Sequence, residues 1–138
     1  MIIDQQFLNE LSSQTKANPR LRQNYDMRTS TEDGSQRMLN ALEVGTVLPI
    51  HRHPRTTETM VMVRGKLMEY FYNEKGELTD KILLEAGGEQ PVLQIPVGQW
   101  HSLEVLEKGT VVFEAKDGKY EALKDEDVMK LNDKQFNI

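Results

Sequence analysis

The sequence contains no cysteine, so it forms no disulfide and offers no thiolate to a metal or a substrate. That fits a reducing compartment, and the expected location is the cytoplasm. No apolar stretch approaches the ~20 residues of a membrane-spanning helix, so no membrane partner is expected. The opening residues, Met1 to Gln6, carry no basic segment followed by an apolar run, and no signal peptide is expected. Basic residues are too few to balance the acids. The formal net charge of −5 argues against general nucleic-acid binding. A nucleophile elbow, a phosphate-binding glycine loop and a dinucleotide fingerprint are all missing. Histidine is scarce as well, with three in 138 residues.

All three histidines fall into one pattern. His51 and His53 are two apart, so on an extended strand both side chains point to the same face. A turn containing Pro54 would return Glu58 beside them on the next strand. His101 would come from a distant strand, just after the turn Ile95-Pro96-Val97-Gly98-Gln99-Trp100. Three imidazoles and a carboxylate on one face suit a divalent transition metal. The donor set accepts zinc, iron(II), nickel, manganese or copper, and does not choose among them. One such ion is expected.

The run Gly45, His51, His53, Glu58, Gly65 resembles the first cupin motif at every fixed position, and Pro96, Gly98 and His101 resemble the centre of the second. The second motif departs in two places: its opening glycine, Gly88, lies slightly far upstream, and Val105 stands where an asparagine is usual. Neither departure removes a ligand. The resemblance implies an all-β, double-stranded β-helix (a jelly-roll-like barrel) holding one metal through His51, His53, Glu58 and His101. A narrower resemblance spans most of the chain. Pro19-Arg20, Asn24, Gln36 to Leu42, His51 to Pro54, Ile95-Pro96, Trp100 to Leu103 and Gly109 to Glu114 are similar to the WbuC family of cupin-fold metalloproteins. That family implies a link to bacterial surface-polysaccharide (O-antigen) gene clusters, and hence a small carbohydrate or sugar nucleotide as ligand.

A chain of this length is expected to be one domain. Its three parts are an N-terminal helix and polar connection over 1–37, the barrel over 38–120 and a charged tail over 121–138. Asp4 caps a helix with Phe7, Leu8 and Leu11 on one face, ending near Lys16 to Asn18 before Pro19. Residues Pro19 to Arg37 are polar and weakly patterned. Their arginines are either an ordinary solvated surface or a source of one or two side chains that hold an anionic ligand over the cavity. Arg37 is the best single candidate for the second role. Strands are expected over Leu39–Ile50, Thr59–Val63, Leu67–Tyr72, Lys81–Leu84, Val92–Ile95, His101–Leu106 and Val111–Ala115, with turn signals between them. Asp117-Gly118 reads as a further hairpin. A short helix is expected near Asp125 in a tail that carries no chemistry.

Parity then predicts the cavity. Val47 and Pro49 should point inward with His51 and His53, and Arg52 outward. Met60 and Met62 should follow Glu58, and Leu103 and Val105 should follow His101. The methionines are either adaptable ligand-facing walls or ordinary core filler. Trp100 either shields the site or lines its mouth. Alternating apolar residues on both faces of the strands suggest that the outer faces are covered too, and a homodimer is the default.

Four protein ligands on a six-coordinate metal leave two positions for water or substrate. One use is Lewis-acid catalysis, such as isomerisation or epimerisation, or dioxygen chemistry at iron. Acid–base candidates are Glu69, Tyr70, Tyr72 and Glu114. The other use is binding a small sugar or acid without turnover, or stiffening the barrel.

Overall fold

The computed structural model describes residues 1–130. One helix and eight strands follow in order: α1 (Gln5–Ala17), β1 (Arg22–Asp26), β2 (Gln36–Leu42), β3 (Glu58–Arg64), β4 (Lys66–Tyr72), β5 (Leu78–Glu85), β6 (Val92–Ile95), β7 (Trp100–Val105) and β8 (Thr110–Lys116). A one-turn 3-10 helix at Asp125–Asp127 lies in the tail. The strands form two antiparallel sheets, β1-β2-β8-β3-β6 and β5-β4-β7. The expected all-β sandwich with one N-terminal helix is what the chain forms.

Each face follows from strand alternation. The inner faces of the two sheets bury one cluster that includes Leu42, Met60, Met62, Leu67, Leu84, Ile95, Val105 and Val112. The outer face of the five-stranded sheet presents Leu39, Ala41 and Val111 to Leu8 and Leu11 of α1. The Asp4 carboxylate starts that helix by accepting the Phe7 amide at 2.9 Å. The outer face of the three-stranded sheet packs Tyr70, Tyr72 and Trp100 against Ile50 and Met129. Both outer faces are therefore covered from within the chain at these places.

Several expectations change. Arg22–Asp26, inside the stretch read as weakly patterned, forms edge strand β1 and pairs along its length with β2. The strand expected over Leu39–Ile50 ends at Leu42. A turn at Gly45, whose φ of +97° suits glycine, redirects the chain, and the strand parity predicted there does not hold. Val47 is consequently 57% exposed, and Leu48 takes the inward position assigned to Val47 and Pro49. No strand follows β8 among the described residues, so Asp117-Gly118 is not a hairpin. Instead, the Asp117 carboxylate accepts the Thr57 amide at 2.8 Å. Residues 131–138 of the charged tail lie outside the described residues.

Candidate metal centre

The histidine strip is held on both edges. His51 and His101 exchange backbone hydrogen bonds, His51 N to His101 O at 3.0 Å and His101 N to His51 O at 2.9 Å. On the other edge the tail runs alongside: Arg52 N donates to Asp127 O at 3.0 Å and Met129 N to Ile50 O at 2.9 Å. The Arg52 guanidinium, facing outward as parity predicts, donates to the Asp127 carboxylate at 3.0 Å and lies over the Trp100 ring. The tail thus helps fix the ligand strip. The Gly98 amide donates to the His53 carbonyl at 2.9 Å, which ties the turn before β7 to the same strip. Glu58 opens β3, opposite Ile95 on one side and Lys116 on the other.

These contacts bring His51, His53, Glu58 and His101 together. One ring nitrogen from each histidine lies within 4.8 Å of the others. Two rings are fixed by backbone carbonyls: His51 Nδ1 is 2.9 Å from Pro49 O, and His101 Nδ1 is 2.8 Å from Gln99 O. A carbonyl only accepts, so each Nδ1 carries the proton and each Nε2 keeps a lone pair. His101 Nε2 faces Glu58 Oε2 at 3.5 Å, and His53 Nε2 faces Glu58 Oε1 at 3.6 Å. Both Nε2 atoms are buried without a hydrogen-bond partner. At His101, whose tautomer is fixed, a ring lone pair set against a carboxylate oxygen is repulsive unless something positive lies between them. The donor set therefore fits a divalent transition metal.

Electrostatics point the same way. Burial is the main reason the His51 ring is pushed down to about 3, helped by the neighbouring His101. Burial likewise pushes His53 down to about 4. Burial opposes ionisation of Glu58, while the Lys116 ammonium 3.3 Å away favours it, and the carboxyl is held well below its usual range. Two neutral imidazoles and a carboxylate at neutral pH are already in the protonation state that a metal requires.

The cluster lies at one side of a cavity of about 200 Å³. Met60 lines it. Met62 and Val105 lie beyond, in the core cluster, and Leu103 lines the wall beside His101. Trp100 packs on the outer face, where its neighbours are Ile50, Tyr70 and Tyr72. Arg37 is not at the cavity. It shares the outward parity of Leu39, and its guanidinium donates to Asp33, Ser35 O and Met27 O. Of the four acid–base candidates, Glu69 and Glu114 line the cavity. Tyr70 and Tyr72 point out of it, their hydroxyls bonded to Glu104 and Ser102. Glu69 is wholly buried with both carboxylate oxygens unpartnered. Burial, with Glu58 and Glu114 nearby, raises its pKa well above the usual value.

Sequence reasoning missed Lys116, whose ammonium lies 3.3 Å from Glu58 Oε1. The expected strand stopped one residue short of it. Extending the alternation from Val112 and Glu114 by one step would have found it. Asn24, Met38 and Asn40 also line the cavity unanticipated, and β1, which carries Asn24, had not been read as a strand. Beyond His53 and Lys116 lies a second cleft of about 370 Å³, walled partly by Arg55, Tyr120 and Leu123. The tail supplies much of that wall.

Comparison with solved structures finds the same fold at low identity. KdgF from Halomonas sp. is 16% identical, with a TM-score of 0.59 over 75% of this chain and 84% of that one. The cupin domain of Schizosaccharomyces pombe Cnp3 is 11% identical, with a TM-score of 0.57 over 70% and 64%. An oxalate oxidase in complex with the substrate analogue glycolate is 18% identical, with a TM-score of 0.57 over 75% of this chain but only 54% of the oxidase. At these identities the likeness shows the fold, which is that of the cupins. No curated protein matches the chain. A family model does match, over residues 3–84, and the chain belongs to that family, described as a domain of unknown function (DUF6016).

Proposed function

We propose that this cupin binds one divalent transition metal, zinc, iron, nickel or manganese, through His51, His53, Glu58 and His101. We further propose that it uses the ion to act on a small, oxygen-rich ligand derived from carbohydrate. The observation that carries the reading is the pair of buried, unpartnered Nε2 atoms of His53 and His101 facing the Glu58 carboxylate at 3.6 and 3.5 Å. The ion would supply Lewis acidity toward a ligand oxygen. The chain's own residues do the rest. His51 and His101 are kept in one tautomer by Pro49 and Gln99, so their lone pairs need no reorientation. Met60 and Leu103 give the cavity an apolar wall that limits water. Glu69, neutral because it is buried, stands in the cavity as a proton donor to a ligand oxygen. A link to surface-polysaccharide synthesis is supported by the residues resembling the WbuC family, from Gln36-Arg37-Met38-Leu39 through Trp100-His101-Ser102-Leu103.

The test is calorimetric titration of metal-free protein with zinc(II) and manganese(II). One equivalent should bind, and His101→Ala should weaken binding by at least about a hundredfold, since even outer partners of metal ligands commonly matter by 10–100-fold. No uptake by the wild type would remove the reading.

A further inference from the structure

The cavity contains polar atoms that the metal cluster does not use. Among the described residues Lys116 is the only cation lining it, with a side chain 11% exposed, and it pairs with Glu58. Glu58 Oε1 is the same oxygen that faces His53. A single carboxylate is thus shared between an ammonium and a cluster shaped for a divalent cation. On the opposite wall, both Glu69 oxygens are buried and unpartnered. Asn40 donates its amide to Glu114 Oε1 at 3.3 Å and leaves its own Oδ1 buried and unpartnered. Each such polar atom costs stability unless the contents of the cavity hydrogen-bond to it.

We propose that the cavity is a site for a small hydroxy acid: Lys116 receives the ligand's carboxylate beside the metal cluster, and Asn40 and Glu69 hydrogen-bond its hydroxyl groups. This rests on the metal reading above and names the ligand class for the same site. Alternatives fit the polar inventory less well. A neutral polyol leaves the Lys116 charge unused. A plain carboxylate leaves the Asn40 and Glu69 oxygens bare. Phosphate would find only the point charge of Lys116, since neither an arginine fork nor a helix N-terminus lines this cavity, and as an acceptor it would not suit the Asn40 oxygen. Size agrees as well. A volume of about 200 Å³ falls below the ~300–1,000 Å³ of sites for drug-sized molecules, which limits the enclosed part to a few carbons. A larger sugar acid would extend past Lys116 and His53 into the adjoining cleft.

The test uses zinc-loaded full-length protein and four probes in calorimetry: glycerate, propanoate, glycerol and inorganic phosphate. Glycerate should bind at least about tenfold tighter than propanoate and about a hundredfold tighter than glycerol, because unpaired buried polar groups penalise the ligand that lacks their partner. Lys116→Met should weaken glycerate at least about thirtyfold, and Asn40→Ala should narrow the preference for glycerate over propanoate. Lys116→Gln, which retains a donor without the charge, guards against misfolding of the methionine variant. Elemental analysis accompanies each sample, so loss of zinc counts against the metal reading and not against the ligand class. The proposal is overturned if zinc-loaded protein does not bind glycerate, if glycerol or phosphate binds as tightly, or if both Lys116 variants bind glycerate unchanged.

Discussion

Gly65→Ala is expected to destabilise the fold by about 3–5 kcal/mol, a large part of the stability of an ordinary domain. Gly65 turns the chain between β3 and β4 with φ at +79°, a region that costs an L-residue on the order of 1–3 kcal/mol. A Cβ there would lie 2.2 Å from Thr110 Oγ1 and 2.8 Å from Thr110 Cα. Thr110 cannot give way easily. It is fully buried, and its hydroxyl is 2.6 Å from the Glu107 carbonyl, to which it donates, and accepts the Lys66 amide at 3.2 Å. Overpacking adds roughly 1–3 kcal/mol. Gly109→Ala is the control. It shares the backbone conformation, with φ at +76°, but nothing lies within 4 Å of its Cβ. Urea unfolding should show a much lower midpoint for Gly65→Ala than for Gly109→Ala. Equal midpoints would mean that the Thr110 contact is relaxed at no cost.

The second large effect is metal removal. A ligand that binds only the folded state stabilises it by RT ln(1 + [L]/Kd), about 4 kcal/mol when the free metal is a thousandfold above Kd. Chelation should therefore lower the melting temperature by about 10 °C or more. The pH dependence follows from the cluster. His51 and His53, held at about 3 and about 4, do not compete with metal for protons at pH 5. Two ordinary imidazoles, titrating near ~6.5, would lose about a thousandfold in metal affinity there. The expected result is that proton competition from these two rings is absent between pH 7 and pH 5.

The sign for stability is different. Below about 6.5 the unfolded state binds protons that the folded rings refuse. Their contribution is complete above that pH and is lost as pH falls through about 4 for His53 and about 3 for His51. Glu69 and Glu114, both raised by burial, act oppositely, because the fold keeps protons that the unfolded chain releases above about 4.5. Metal-free stability should thus vary less with pH than either set alone would dictate. A steep one-sided loss would show that one set does not hold its assigned state.

Much of this was readable in the sequence because the signals were local. Asp4 before an amphipathic run gave α1, and Val92–Ile95 was bounded by turn residues on each side. The spacing of His51, His53 and Glu58 carried the cluster. What escaped depended on contacts between distant segments. The strand β1 has no alternation of its own and exists because β2 offers it an edge. The parity of Val47 and Pro49 failed because the chain leaves the sheet after Leu42 and meets β7 only at His51. Arg37 looked available for a ligand because nothing in the sequence revealed Asp33 as its partner. The tail seemed chemically silent, yet Asp127 anchors Arg52 between the two metal-ligand candidates His51 and His53.

The most direct test of the account is elemental analysis of protein purified without added metal and without a histidine tag, beside a His51→Ala/His101→Ala double variant. The account predicts close to one divalent transition metal ion per chain in the wild type and almost none in the variant, with both folded by circular dichroism. Equal metal content in the two, or none in either with none taken up on titration, would contradict it.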